Sequence, residues 1–178
     1  MMGFRKPAAL LAAALIVLLA PASAAAACRG ARATTKTATT GTLVHATLCI
    51  LNAKRAGHDL RPLVLNAKLG AAARRHSRAM VRERFFSHSS PNGDTFIDRI
   101  RAAGYLEGAR SWTAGENIAY GSGSRSTPRS IGQAWMNSPG HRANILSRSF
   151  RAIGIGIESG TPVGIAGATY TTDFGRRD

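Results

Sequence analysis

Three residues of this sequence carry reactive side chains beside turn-forming neighbours that can hold them still. They are His88 in "FFSHSSPNGD", Glu116 in "TAGENIAYG" and His141 in "WMNSPGHRANIL". Each has an apolar anchor close by: Phe86, Ile118, and Ile145 with Leu146. Three rigid turns that converge would bring two imidazoles and a carboxylate together. That set suits a divalent cation, zinc above all, because neutral imidazole is a good zinc ligand and a carboxylate completes the set. It also suits general acid–base work. No H-x-x-x-H or H-E-x-x-H pair fixes two ligands on one helix face. Hydrogen-bonded structural histidines therefore remain the alternative reading.

Other polar residues have plainer roles. His76 falls on the apolar stripe of a helix and reads as a buried structural histidine, with a place in the lining of a cleft as the second option. Asn117 and Asn144 suit side-chain to backbone bonds that tie turns together; Asn144 is also a candidate ligand contact. Ser138 near His141 suggests a nucleophile and its base, but a serine directly before Pro139 is a ready helix cap. Trp135 reads as core. His45 and His58 read as surface or helix-end residues.

The elements that must position these residues follow from periodicity. From Leu43 the pattern is helical, with Val44, Leu48 and Leu51 at i, i+4 and i+7, and Gly57 stops it. "RPLVLN" is a short extended link. A second helix runs from Asn66 to Arg84 with Leu69, Ala72, Ala73, His76 and Met80 on one stripe. Asp94 or Thr95 caps a short third helix that ends at Gly104. Thr127-Pro128 opens a fourth helix, and Ser138-Pro139 repeats the device. The period then alternates: "AIGIGI" and "GATYTTDFG" read as strands. Gly154 and Gly156 leave one face of the first strand bare, so a neighbouring backbone can approach closely. Helices followed by strands indicate an α+β domain.

The N-terminus has a different character. Arg5 and Lys6 precede an apolar run from Ala8 to Ala20, and Ala22-Ser23-Ala24 is a small-residue cleavage site. Residues 1–24 therefore read as a secretory signal peptide. The apolar run is shorter than the roughly 20 residues a membrane span needs. The chain is read as an exported monomer. A lipid anchor at Cys28 is the less favoured option, because the Leu usual three positions before such a cysteine is missing. Residues 25–42 form a Thr- and Ala-rich leader, and residues 43–178 form one domain. The only cysteines, Cys28 and Cys49, read as a disulfide in an oxidising compartment. It would close a loop of about 20 residues and contribute roughly 3 kcal/mol. The formal net charge of +15 attracts anionic polymers. For an exported chain the polyanion is a cell wall or membrane surface, and no nucleic acid is expected. The densest basic run, "RRHSRAMVRER", lies on a helical pattern and reads first as a solvated face.

The segments "PLVLNAKLGAAARRHSRAM", "FFSHSSPNG", "GENIAYG", "AWMNSPGHRANIL" and "GIGI" stand in an order and spacing that resembles the bacterial secreted CAP-domain, or SCP-like extracellular, proteins. These are similar to cysteine-rich secretory proteins, venom allergens and plant pathogenesis-related proteins. The resemblance spans about Leu43 to Gly175. It implies a three-layer α-β-α sandwich with a central antiparallel sheet and a cleft lined by two His and two Glu. By motif, His88, Glu116 and His141 match three of the four, and Ser138 stands where the second Glu would be. A hydroxyl does not supply that charge, so a cation would rest on His88, His141 and water. The resemblance implies a secreted protein that binds a divalent cation, a lipid or a cell-envelope component. A metal-assisted, peptidase-like hydrolase and a non-catalytic structural envelope protein are the alternatives. The incomplete tetrad argues against a complete enzyme.

Overall fold

A computed structural model describes residues 28–178. The expected signal peptide, residues 1–24, lies outside the described residues, and so does the start of the leader.

The chain builds a four-stranded sheet covered on both faces. In chain order the elements are α1 (Thr40–Ala56), β1 (Val64–Leu65), α2 (Ala67–Arg82), α3 (Phe96–Ala102), β2 (Trp112–Gly121), α4 (Pro128–Asn137), α5 (Pro139–Leu146), β3 (Ala152–Ser159) and β4 (Ala168–Arg177). The sheet order is β1-β3-β4-β2. β4 pairs antiparallel with both β3 and β2. The two-residue β1 pairs parallel with β3, so the sheet is not antiparallel throughout. The link "RPLVLN" thus becomes a short edge strand: Val64 N–H donates to the Arg151 carbonyl and Asn66 N–H to that of Ile153.

Local chemistry sets the helix ends. Thr39 caps α1 and Asn66 caps α2, each accepting from backbone N–H groups of the first turn. Thr95 and Asp98 close a capping box on α3. Thr127 caps α4 ahead of Pro128. Ser138 stands at the N-cap of α5 ahead of Pro139, but its hydroxyl makes no capping bond. The restart of the helix there rests on the fixed φ of proline and on the backbone bond from Arg142 N–H to the Ser138 carbonyl.

Alternation along β3 decides the layers. Ile153, Ile155 and Ile157 point into the main core with Leu43, Leu51, Ile131, Trp135 and Ile145. Gly154 and Gly156 face α2. A Cβ on either would run into the α2 backbone, at Leu69–Gly70 and at Ala73–Arg74. The α2 face opposite is correspondingly fine-grained, with Gly70, Ala72, Ala73 and Ser77 buried on it. Helices α1, α4 and α5 cover one face and α2 with α3 the other, which makes the three layers. The Cys28–Cys49 disulfide, with Cα atoms 5.7 Å apart, pins the leader to α1. Buried Arg55 ties α1 to the end of α5 by donating to the carbonyls of Ile145 and Ser147. Among the described residues no helix is long and apolar enough to cross a membrane.

Candidate functional site

β2 lies at the edge of the sheet, and the site forms around it. Glu116 sits in the middle of this ten-residue strand and not in a turn. Gly115 is among the turn-forming neighbours that the sequence sets beside Glu116. Gly115 in fact marks a close approach, because a Cβ there would meet the Asn144 side chain and the Phe150 ring.

The Glu116 side chain is fully buried, and both its oxygens are engaged. Oε2 accepts from Arg99 Nη2 at 2.7 Å. Oε1 lies 2.7 Å from His88 Nδ1. A carboxylate can only accept, so Nδ1 carries a proton, and in the neutral ring it is Nε2 that presents the lone pair. The His88 side chain is 52% exposed, which leaves that face of the ring open to solvent. Arg99 also donates to the carbonyls of His88 and Asp94 and to Ser90 Oγ. One buried guanidinium thus fixes both the acid and the loop that carries the histidine.

His141 lies in the first turn of α5 and is half-buried. Burial, and then the charge of His88, pull its pKa below the usual 6.5. Helix α5 is tied to β2 by amides: Asn117 Nδ2 donates to the His141 carbonyl, and Asn144 Nδ2 to the Glu116 carbonyl and to Asn117 Oδ1. Asn144 therefore works as a tie, and so does Asn117. Trp135 adds a bond from its indole N–H to the Ile118 carbonyl while filling the core. Two of these bonds satisfy carbonyls on the free edge of β2, those of Glu116 and Ile118.

Not every expected residue joins the group. Ser138 makes no side-chain hydrogen bond, so it forms no nucleophile–base pair with His141. His76 is wholly buried behind the site, with Nε2 2.9 Å from the Ser87 carbonyl and its ring against Phe85. Burial dominates in pulling its pKa below 6.5. His45 and His58 are exposed. Phe86 is not a buried anchor; it is 46% exposed and meets the Tyr120 ring edge-on.

Two members of the site escape a reading of spacing. Arg99 is one, although it stands three residues after Phe96 and beside Ile100, on the inward stripe of α3 where an arginine implies a buried acid. The other is Asp173, in register with Glu116 across the β2–β4 pair. It is 1% exposed, and no protein donor reaches either oxygen. An aspartate inside a strand covered on both faces is bound to be buried, and the alternation of "YTTDFG" contains that signal. Burial, and then the charge of Glu116, push the Asp173 pKa well above the ordinary 3.8. A raised folded pKa means that its stabilising contribution is complete below about pH 4 and is lost as pH rises through the folded value. Asp173→Asn keeps the shape and removes the ionisation. We expect it to raise the melting temperature at neutral pH, with the gain shrinking towards pH 4. Melts of both proteins across that range check the sign.

No group of three or more His, Cys, Asp or Glu side chains among the described residues is arranged to hold a metal ion. Glu116 is committed to Arg99 and His88, so the donors left for a cation are the imidazoles of His88 and His141. A buried carboxylate behind a ligating histidine is the usual device for fixing its tautomer.

The sequence pattern of the Cysteine-rich secretory protein family (CAP) matches residues 48–170. The uncharacterized protein YkwD of Bacillus subtilis is 40% identical over 113 residues, which cover 63% of this chain and 41% of the relative. The uncharacterized membrane protein YlbC of the same organism is 31% identical over 111 residues, 62% of this chain and 30% of the relative. The chain thus spans less than half the length of these curated relatives. Among solved structures, an extracellular protein containing an SCP domain from Bacillus anthracis superposes with a TM-score of 0.60 at 28% identity, covering 77% of this chain and 43% of that one. An outer surface protein from Borrelia burgdorferi gives 0.58 at 22% identity, covering 72% and 87%, and shares the fold.

Proposed function

For a chain that belongs to the Cysteine-rich secretory protein (CAP) family, we propose an extracellular binding role in which His88 and His141 receive a divalent cation, zinc in the first instance. The observation that carries this reading is the 2.7 Å contact between His88 Nδ1 and buried Glu116, which directs the basic Nε2 outward. His141 adds a second imidazole whose lowered pKa keeps it neutral, and so available as a donor, at neutral pH. The cation would bridge the protein to a lipid or cell-envelope component. The exposed arginines of α2, Arg74, Arg75, Arg78 and Arg82, would add attraction to an anionic surface. An extracellular place is supported by the Cys28–Cys49 disulfide and by the signal-peptide pattern of residues 1–24. The Bacillus anthracis relative described as extracellular and the Borrelia protein described as an outer surface protein support it as well.

The same geometry weakens the hydrolase reading. A general base must reach a water, and Glu116 is fully buried with both oxygens engaged. Ser138 has no base in contact. Isothermal titration with zinc tests the binding role. We expect saturable heat from the native protein and a loss of at least about tenfold in affinity for His88→Ala and for His141→Ala. Equal heat from native and double-alanine proteins would overturn it.

A further inference from the structure

A cavity of about 300 Å³ opens where the end of α1, the link from α1 to β1 and the link from α5 to β3 meet. Four arginines line it, Arg55, Arg61, Arg148 and Arg151, with Asp59 as the only acid. Among the described residues none of the four takes part in an ion pair, and neither does Asp59.

Arg55 is the floor of this group. It is wholly buried, and its bonds go to neutral carbonyls. Nε donates to Arg61 at 2.9 Å, and Nη1 donates to Ile145 at 2.7 Å and to Ser147 at 2.9 Å. Burial, and then the charge of Arg151, pull its pKa below the usual guanidinium value. An arginine stays charged all the same. A buried charge is ordinarily matched by an opposite one. Here the chain sets further like charge beside it.

The same bonds fix the geometry. The Arg55 guanidinium spans from the Arg61 carbonyl to that of Ser147, one residue before Arg148. Val64 N–H donates to the Arg151 carbonyl at 3.0 Å and ties the two links together a second time. Arg151 Nη1 folds back onto the Arg148 carbonyl at 2.6 Å. Arg61, Arg148 and Arg151 are thus held on one small frame, and all three are exposed to solvent.

We propose that this cavity binds a phosphate group, with Arg61, Arg148 and Arg151 as its contacts and Arg55 as a buried positive charge beneath them. The oxygens of a phosphate point several ways, so one group accepts from arginines of two separate links. A planar carboxylate is served by a single guanidinium fork. Asp59 opposes the ligand's charge and holds its affinity down. The site does not depend on a cation at His88 and His141.

The test is calorimetric titration of the purified protein at low salt with inorganic phosphate and glycerol 3-phosphate, with acetate as the planar control. Cosedimentation with phosphatidylglycerol vesicles runs beside it. Saturable phosphate binding is expected, weakened about fivefold or more by each of Arg61→Gln, Arg148→Gln and Arg151→Gln. Asp59→Asn should tighten it. Arg142→Gln, at an exposed arginine of α5 outside the cavity, should leave it unchanged, and so should the pair His88→Ala and His141→Ala. Vesicle binding that free phosphate displaces would make a lipid headgroup the source. Phosphate binding without vesicle binding would make it a soluble phosphate ester. Three results would each overturn the proposal: no saturable phosphate binding, acetate that binds as well as phosphate, or a loss with Arg142→Gln as large as with the cavity variants.

Discussion

Arg99→Ala is expected to destabilise the protein by about 3–5 kcal/mol, because it leaves the Glu116 charge buried without its partner. For a domain of this size that corresponds to a fall in melting temperature of roughly 6–20 °C. The Arg99–Glu116 contact is 2.7 Å, with side chains 5% and 0% exposed, so solvent does little to compensate the loss. The same substitution removes the bonds to the His88 and Asp94 carbonyls and to Ser90 Oγ. The loop should therefore loosen, and His88 should lose its fixed orientation. Arg101→Ala is the control. Its pair with Asp98 is 2.9 Å long but half-exposed, and such pairs contribute less than about 1 kcal/mol. Chemical denaturation of the two variants should separate them clearly. Equal stabilities would mean that Glu116 does not need its arginine.

Gly154→Val is expected to be at least as damaging, by about 3 kcal/mol or more, through overpacking. A Cβ at this position collides with the Leu69 carbonyl carbon and the Gly70 nitrogen. Those are backbone atoms within α2, and no rotamer change moves them aside. Either the helix lifts from the sheet or β3 bends away from β4, and both outcomes open the layer that holds Glu116 and Asp173. Gly140→Val offers a comparison, since nothing stands within 4 Å of a Cβ there. Thermal melts should show a large drop for the first and a small one for the second. A fold that absorbed valine at Gly154 would contradict the close packing of α2 on the sheet.

That glycine contact also shows how much the sequence discloses. The alternation of Gly154 and Gly156 with isoleucines announces a bare strand face, and α2 fills it. Caps at Asn66, Thr95 and Thr127 are local in chemistry and therefore legible. The family motifs select His88, Glu116 and His141, but not how they are held. Gly115 imitates a turn because a glycine needed for close approach looks the same in sequence as one needed for a bend. Arg99 and Asp173 find their partners across separate elements, and no periodicity encodes a pairing between a helix and a strand. Ser138 carries the signature of a side-chain cap, yet the proline after it suffices to restart the helix.

The orientation of His88 and its partnership with His141 carry the functional account. The most direct measurement is a long-range ¹H–¹⁵N spectrum of the histidines, recorded at neutral pH with and without zinc. His88 is expected to carry its proton on Nδ1 before zinc is added. Zinc should then shift His88 and His141 together, while exposed His45 and His58 stay in place. A His88 proton on Nε2, or a zinc response confined to His45 and His58, would contradict it.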